Sequence, residues 1–188
     1  MEQFVLCNYS VSTAEELPIS GYYDMQIDIT GKIIVEVRLS LSNKIKNSFD
    51  LCELRIPIYN RGLVQSYDVN ASQGSVQLVE KRMLVWNIGQ KFPSKNLEVF
   101  LTSSLQMNKQ LPTPPDMYED PFCVGLNSYV LLNFRISDFT QSGCHVDSKS
   151  MQVSGKSKCK LTTVHEYISF HYQLWNIRGE ALNQKPKS

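Results

Sequence analysis

Apolar residues in this chain recur at every second position, and nowhere do they hold a 3.6-residue period for more than about two turns. That pattern sets aside helical bundles and alternating α/β folds, both of which need amphipathic helices. Tyr23, Met25, Ile27 and Ile29 alternate with Asp24, Gln26, Asp28 and Thr30, and after Gly31-Lys32 the alternation resumes with Ile33, Val35, Val37, Leu39 and Leu41. The reading is strand, tight turn, strand. Cys52, Leu54, Ile56 and Ile58 share one face of a third strand, but Pro57 has no N–H for the ladder and predicts an edge position or a bulge. Tyr59-Asn60-Arg61-Gly62 reads as a turn. Further strands are expected around Tyr67 to Val69, Val76 to Val79, "MLVWNI", "NLEVFLTSSLQM" and "SYVLLNFRI", with Leu84, Trp86 and Ile88 on one face. The proline-rich stretch "NKQLPTPPDMYEDP" reads as a surface loop and "GEALNQKPKS" as a frayed tail. Many short strands and few helices mean an all-β sandwich or barrel. With 42% hydrophobic residues in 188, the chain has enough apolar side chain for a real core.

Charge excludes little. The 19 basic residues against 18 acidic give a net charge of +1, so nucleic-acid binding has no electrostatic footprint. "MEQFVLCNYSVS" lacks the basic and apolar regions of a signal peptide, and no apolar run reaches the roughly 18 residues that span a bilayer. Cys7, Cys52, Cys123, Cys144 and Cys159 are an odd number without a C-x-x-C pair, and they are read as reduced thiols of a cytosolic protein. The sequons at Asn8 and Asn70 are discounted for want of a secretory signal.

No catalytic constellation emerges. His145, His165 and His171 show no metal-ligand spacing, and the neighbours Cys144 and His145 would point to opposite faces of a strand. No catalytic residue, metal or cofactor is therefore expected. Lys156, Lys158 and Lys160 alternate, so on a strand all three would emerge together, either as a solvated face or as a contact for an acidic headgroup or partner. The stretch "ISFHYQLWN" puts Ile168, Phe170, Tyr172 and Leu174 on one side and Ser169, His171, Gln173 and Trp175 on the other. Both sides carry an aromatic. It is either a core strand rich in rings or the wall of a binding site.

In this order, "LRIPIYNRG", "LVWNIGQKFP" and "FRISDFTQSGCHV" resemble the mu homology domain of clathrin-adaptor medium subunits. Within that family, the turn before Gly62, the Trp-x-Ile-Gly strand and the Ser-Gly-Cys step bring the chain nearest to the medium subunits of the fifth heterotetrameric adaptor complex, a branch also described as death-inducing. Stonins and muniscins, endocytic relatives, are the alternative. The likeness runs from Phe4 to about Asn176. It implies an elongated antiparallel β-sandwich in which residues 18–137 form a self-contained inserted subdomain, while 1–17 and 138–188 belong to an outer subdomain whose opening strands the chain lacks. It also implies a non-enzymatic cargo-recognition or assembly role in endosomal transport, with the other adaptor subunits and sorting-signal peptides as partners. The implied location is cytosolic and peripheral on late endosomes and lysosomes. The alternative is a subunit-binding scaffold that takes no cargo.

The resemblance carries over residue by residue, with departures. Relatives that read tyrosine-based signals bind the peptide as an added strand, and they carry Trp-Val-Arg where this chain has Phe170-His171-Tyr172. Phe170 keeps the aromatic wall, Val146 an apolar neighbour and Leu174 the same face, but Tyr172 replaces the arginine and supplies no charge. The expectation is a mainly structural strand or a groove of altered specificity. Some relatives hold phosphoinositides with a lysine cluster, where this chain offers only Lys81 and Arg82. Membrane contact through Lys81, Arg82, Lys156, Lys158 and Lys160 is expected to be weak.

Overall fold

The computed structural model describes residues 17–108, 120, 122–147, 149–150 and 162–179. Among them the chain forms nine strands: β1 (Ile19–Ile27), β2 (Ile33–Leu41), β3 (Leu51–Pro57), β4 (Leu63–Ala71), β5 (Ser75–Val79), β6 (Met83–Asn87), β7 (Glu98–Asn108), β8 (Tyr129–Ser137) and β9 (Glu166–Trp175). The one helical element among the described residues is a 3-10 turn at Tyr59–Arg61, where the sequence reads as a turn. The strands make two antiparallel sheets, β1-β2-β7-β4 and β5-β6-β3-β8-β9. The all-β sandwich implied by the alternation is what forms.

The inward rows carry the core. Ile33, Val35, Val37, Leu39 and Leu41 of β2 are all buried, as are Cys52, Leu54, Ile56 and Ile58 from β3 onward. Trp86 lies fully buried between Leu84 and Ile88, and its indole N–H donates to the Gln73 carbonyl at 2.8 Å. Gln73 belongs to the turn into β5, where Gly74 takes φ 79° and a side chain would meet the Asn87 carbonyl at 2.0 Å. Only glycine fits that approach.

Two local readings change. The first hairpin turns earlier than Gly31-Lys32, because the Asp28 carboxylate accepts the Thr30 and Lys32 N–H groups at 2.8 and 2.9 Å. This side-chain turn ends β1 at Ile27, so Ile27 and Ile29 stand in solvent rather than continuing the buried row. Pro57 is neither on an edge strand nor at a bulge. β3 is central, but its ladder with β8 stops at Arg55, so the missing N–H falls at the strand's last residue.

Strand β9 pairs along its length with β8 and places Leu174 in the common core. Asn176 then joins the two sheets. Its side-chain amide accepts the Met25 N–H at 2.9 Å and donates to the Met25 carbonyl at 2.8 Å and the Leu126 carbonyl at 2.7 Å. Alongside, the Ile177 N–H donates to the Tyr23 carbonyl, and the Arg178 guanidinium grips Asp24 with two hydrogen bonds.

Candidate functional site

Strand β9 borders the second sheet, and among the described residues nothing pairs with its outer edge before Asn176. An edge strand with an open ladder is the element to which an extended partner segment can add. Its inner edge is not regular. Phe134 faces Ser169 and Leu132 faces Tyr172, so two residues, Phe170 and His171, stand opposite the single Asn133. This is a β-bulge, and a bulge reverses the face that alternate residues occupy downstream of it.

The reversal splits the wall read from the sequence. Tyr167 precedes the bulge and packs inward, its ring 5.6 Å from Phe134 and 6.0 Å from Phe139. Tyr172 and Leu174 follow it and also pack inward, Leu174 with only 7% of its surface exposed. Ile168 and Phe170 therefore face out, 44% and 58% exposed. Of the four residues expected to form a cargo wall, Phe170 and Val146 are at the surface, while Tyr172 and Leu174 belong to the core side. Burial raises the phenol pKa of both Tyr167 and Tyr172, the response of rings set against apolar neighbours.

Electrostatics around the exposed pair are internally balanced. Arg135, opposite Ile168, bonds Glu166 and lies 3.7 Å from Asp50, whose carboxylate also accepts the Ser137 hydroxyl. The Lys46 ammonium donates to the Ser137 carbonyl at 3.1 Å. Since Arg135 already bonds one carboxylate and lies near another, the site presents apolar side chains rather than a vacant cation. The start of the segment bearing Val146 is tied to the residue before β9 by the Asp138 N–H, which donates to the His165 carbonyl at 2.7 Å.

The basic candidates scatter. Lys81 is exposed at the tip of the β5–β6 hairpin, whereas Arg82 is 8% exposed and lies largely beneath the surface. Lys156, Lys158 and Lys160 lie outside the described residues. Of the histidines, His145 is exposed with Nδ1 3.2 Å from the Gly143 carbonyl, and His165 has a buried Nε2 without a hydrogen-bond partner. Cys52 and Cys123 are buried thiols and Cys144 an exposed one. Burial pushes the Cys52 thiol up to about 12, which makes it inert. No group of His, Cys, Asp and Glu among the described residues could hold a metal, and none of their helices is long and apolar enough to cross a membrane.

Sequence reasoning missed Ile168 as a surface residue, because nothing in the alternation signals the bulge. It also passed over Arg61, whose guanidinium donates to the carbonyls of Ile58, Gly125 and Asn127 and so fixes the loop before β8. The neighbouring Arg61-x-Leu63 stretch gives no pattern that would single it out.

Residues 1–174 match the model of the adaptor complexes medium subunit family. The chain is 37% identical over 182 residues to AP-5 complex subunit mu-1 of Bos taurus and 35% identical over the same length to that of Homo sapiens. It is 23% identical over 218 residues to AP-5 complex subunit mu of Arabidopsis thaliana. These alignments cover 96%, 96% and 95% of the chain but only 36%, 36% and 35% of the relatives, so the chain spans about a third of their length.

Proposed function

The chain belongs to the adaptor complexes medium subunit family, and on that premise we propose that it is a non-enzymatic recognition and assembly module of an adaptor complex in endosomal vesicle transport. The observation that carries the reading is the outer side of β9, where Ile168 and Phe170 are exposed along an edge that no described strand covers. Such an edge offers main-chain hydrogen bonds for affinity and alternate side chains for selection. Partners are the other subunits of the complex and, in altered form, sorting-signal peptides of membrane cargo. Attachment to late endosomal and lysosomal membranes comes through the complex, since the described residues leave Lys81 as the surface cation of the candidate pair.

A second reading is subunit binding without cargo. It is favoured by the inward direction of Tyr172 and Leu174, which removes half of the expected pocket wall. Calorimetric titration of the purified chain separates the two, with a tyrosine-signal peptide in one arm and purified adaptor large subunits in the other. A peptide affinity no better than millimolar, about −4 kcal/mol, together with micromolar subunit binding selects assembly. Low-micromolar peptide binding that Phe170→Ser abolishes selects cargo recognition. Binding in either arm that ignores both Ile168→Ser and Phe170→Ser would remove β9 as the contact surface.

A further inference from the structure

The first half of β9 has two ways to pair with β8, and local pattern and structure choose differently. In the structure Ile136 faces Tyr167, Arg135 faces Ile168 and Phe134 faces Ser169, while beyond the bulge Leu132 faces Tyr172 and Val130 faces Leu174. If the register beyond the bulge ran on unbroken, Ile136 would face Ile168, Arg135 would face Ser169 and Phe134 would face Phe170. That ladder contains no bulge. It puts Ile168 and Phe170 on the core side with Tyr172 and Leu174, the arrangement favoured by strict alternation, and turns Tyr167 and Ser169 outward.

We propose that the Glu166–Phe170 segment is a two-register switch, displaying Ile168 and Phe170 in the bulged register and burying them in the regular one. Each register has its own support. The bulged one keeps the Tyr167 ring against Phe134 and Phe139, the Arg135–Glu166 pair and the Asp138-to-His165 backbone bond. The regular one restores the ladder at Asn133 and buries an isoleucine and a phenylalanine in place of a tyrosine and a serine. Because β9 is an edge strand, only one ladder has to be remade, and the Asn176 anchor at its far end stays put.

The consequence is regulation of the contact surface. A partner that grips Ile168 and Phe170 binds only the bulged register, and its apparent affinity falls with the fraction of molecules in the regular one. That consequence rests on the reading of β9 as the contact surface. The two registers themselves do not.

Disulfide trapping in the chain carrying Cys7→Ser, Cys144→Ser and Cys159→Ser tests them without any partner. One variant carries Arg135→Cys with Ile168→Cys, which face each other in the bulged register. A second carries Arg135→Cys with Ser169→Cys, which face each other in the regular one. Under mild oxidation both pairs are expected to cross-link. Adding Phe170→Ser should lower the 135–169 yield relative to the 135–168 yield by about fivefold, and adding Tyr167→Ser should raise it by a similar factor, as expected from side chains whose burial is exchanged. The 135–168 pair carrying the same added substitution, together with a cooperative urea transition measured for every variant, confirms folding. Failure of the 135–169 pair to cross-link under conditions that close the 135–168 pair, or yields that neither added substitution moves, would overturn the switch.

Discussion

Replacing Asn176 by alanine should cost the sandwich about 3 to 5 kcal/mol. The magnitude follows from what the side chain leaves behind. Met25 is buried, and its N–H and C=O at the outer edge of β1 are both satisfied by the one amide, at 2.9 and 2.8 Å. The Leu126 carbonyl loses its bond at 2.7 Å as well. A buried backbone group left without a partner costs about 1 to 3 kcal/mol, so two or three of them at the lower half of that range give the figure. The adjacent Arg178–Asp24 pair is a control on the same corner. It is half exposed on the arginine side, and Arg178→Ala should cost far less than Asn176→Ala. Urea unfolding followed by tryptophan fluorescence reads both, with the slope against denaturant checked for constancy. Asn176→Asp discriminates further, because a carboxylate keeps the acceptor for the Met25 N–H but sets negative oxygens against two carbonyls. It should destabilise at least as much as alanine at neutral pH. If Asn176→Ala cost less than about 1 kcal/mol at unchanged slope, the joining of β9 to the first sheet through this side chain would be disproved.

Trp86→Ala should lose about 3 to 5 kcal/mol in the same assay, since a fully buried indole is removed and the Gln73 carbonyl loses its donor; parent-like unfolding would contradict its place in the core. In the three-residue connection between the paired Val79 and Met83, Glu80 and Lys81 have φ of 50° and 57°, a left-handed geometry that glycine adopts without strain. Lys81→Gly should therefore raise stability by about 0.5 to 1 kcal/mol, and a lower melting temperature would count against the turn assignment. Alkaline pH should destabilise the fold in two stages. Burial lifts the folded-state pKa of Cys52 and of Tyr23 to about 12, against about 9 and about 10 when unfolded, so the stabilisation is whole below those unfolded values and is lost as pH rises toward 12. Tyr23→Phe should reduce the fall above pH 10 by about 3 kcal/mol in melts run from pH 8 to 12, and an unaltered profile would show that Tyr23 is not desolvated as described.

Strand positions were legible in the sequence where one face is buried and the other wet. The β2 row from Ile33 to Leu41 and the Leu84, Trp86, Ile88 face follow from alternation alone, because a period-two apolar pattern has only one way to turn away from water. Family membership was likewise carried by local motifs around Arg55-Ile56-Pro57, Trp86 and Ser142-Gly143-Cys144. Sheet partners are another matter. Nothing local tells β9 to join β8, since pairing depends on which strands the folded chain brings alongside each other and on a buried amide, Asn176, that bonds a strand about 150 residues away. The bulge opposite Asn133 is the sharpest case. Alternation places Ile168 and Phe170 inside, yet the first half of β9 is held by Tyr167, Glu166 and His165 while the second is fixed by Leu174 and Asn176, and the two anchors are one residue out of step. A single extra residue absorbs that mismatch and turns Phe170 outward. The face of a strand is a property of the ladder it joins, so the candidate surface exists only once the tertiary structure has set that ladder's register.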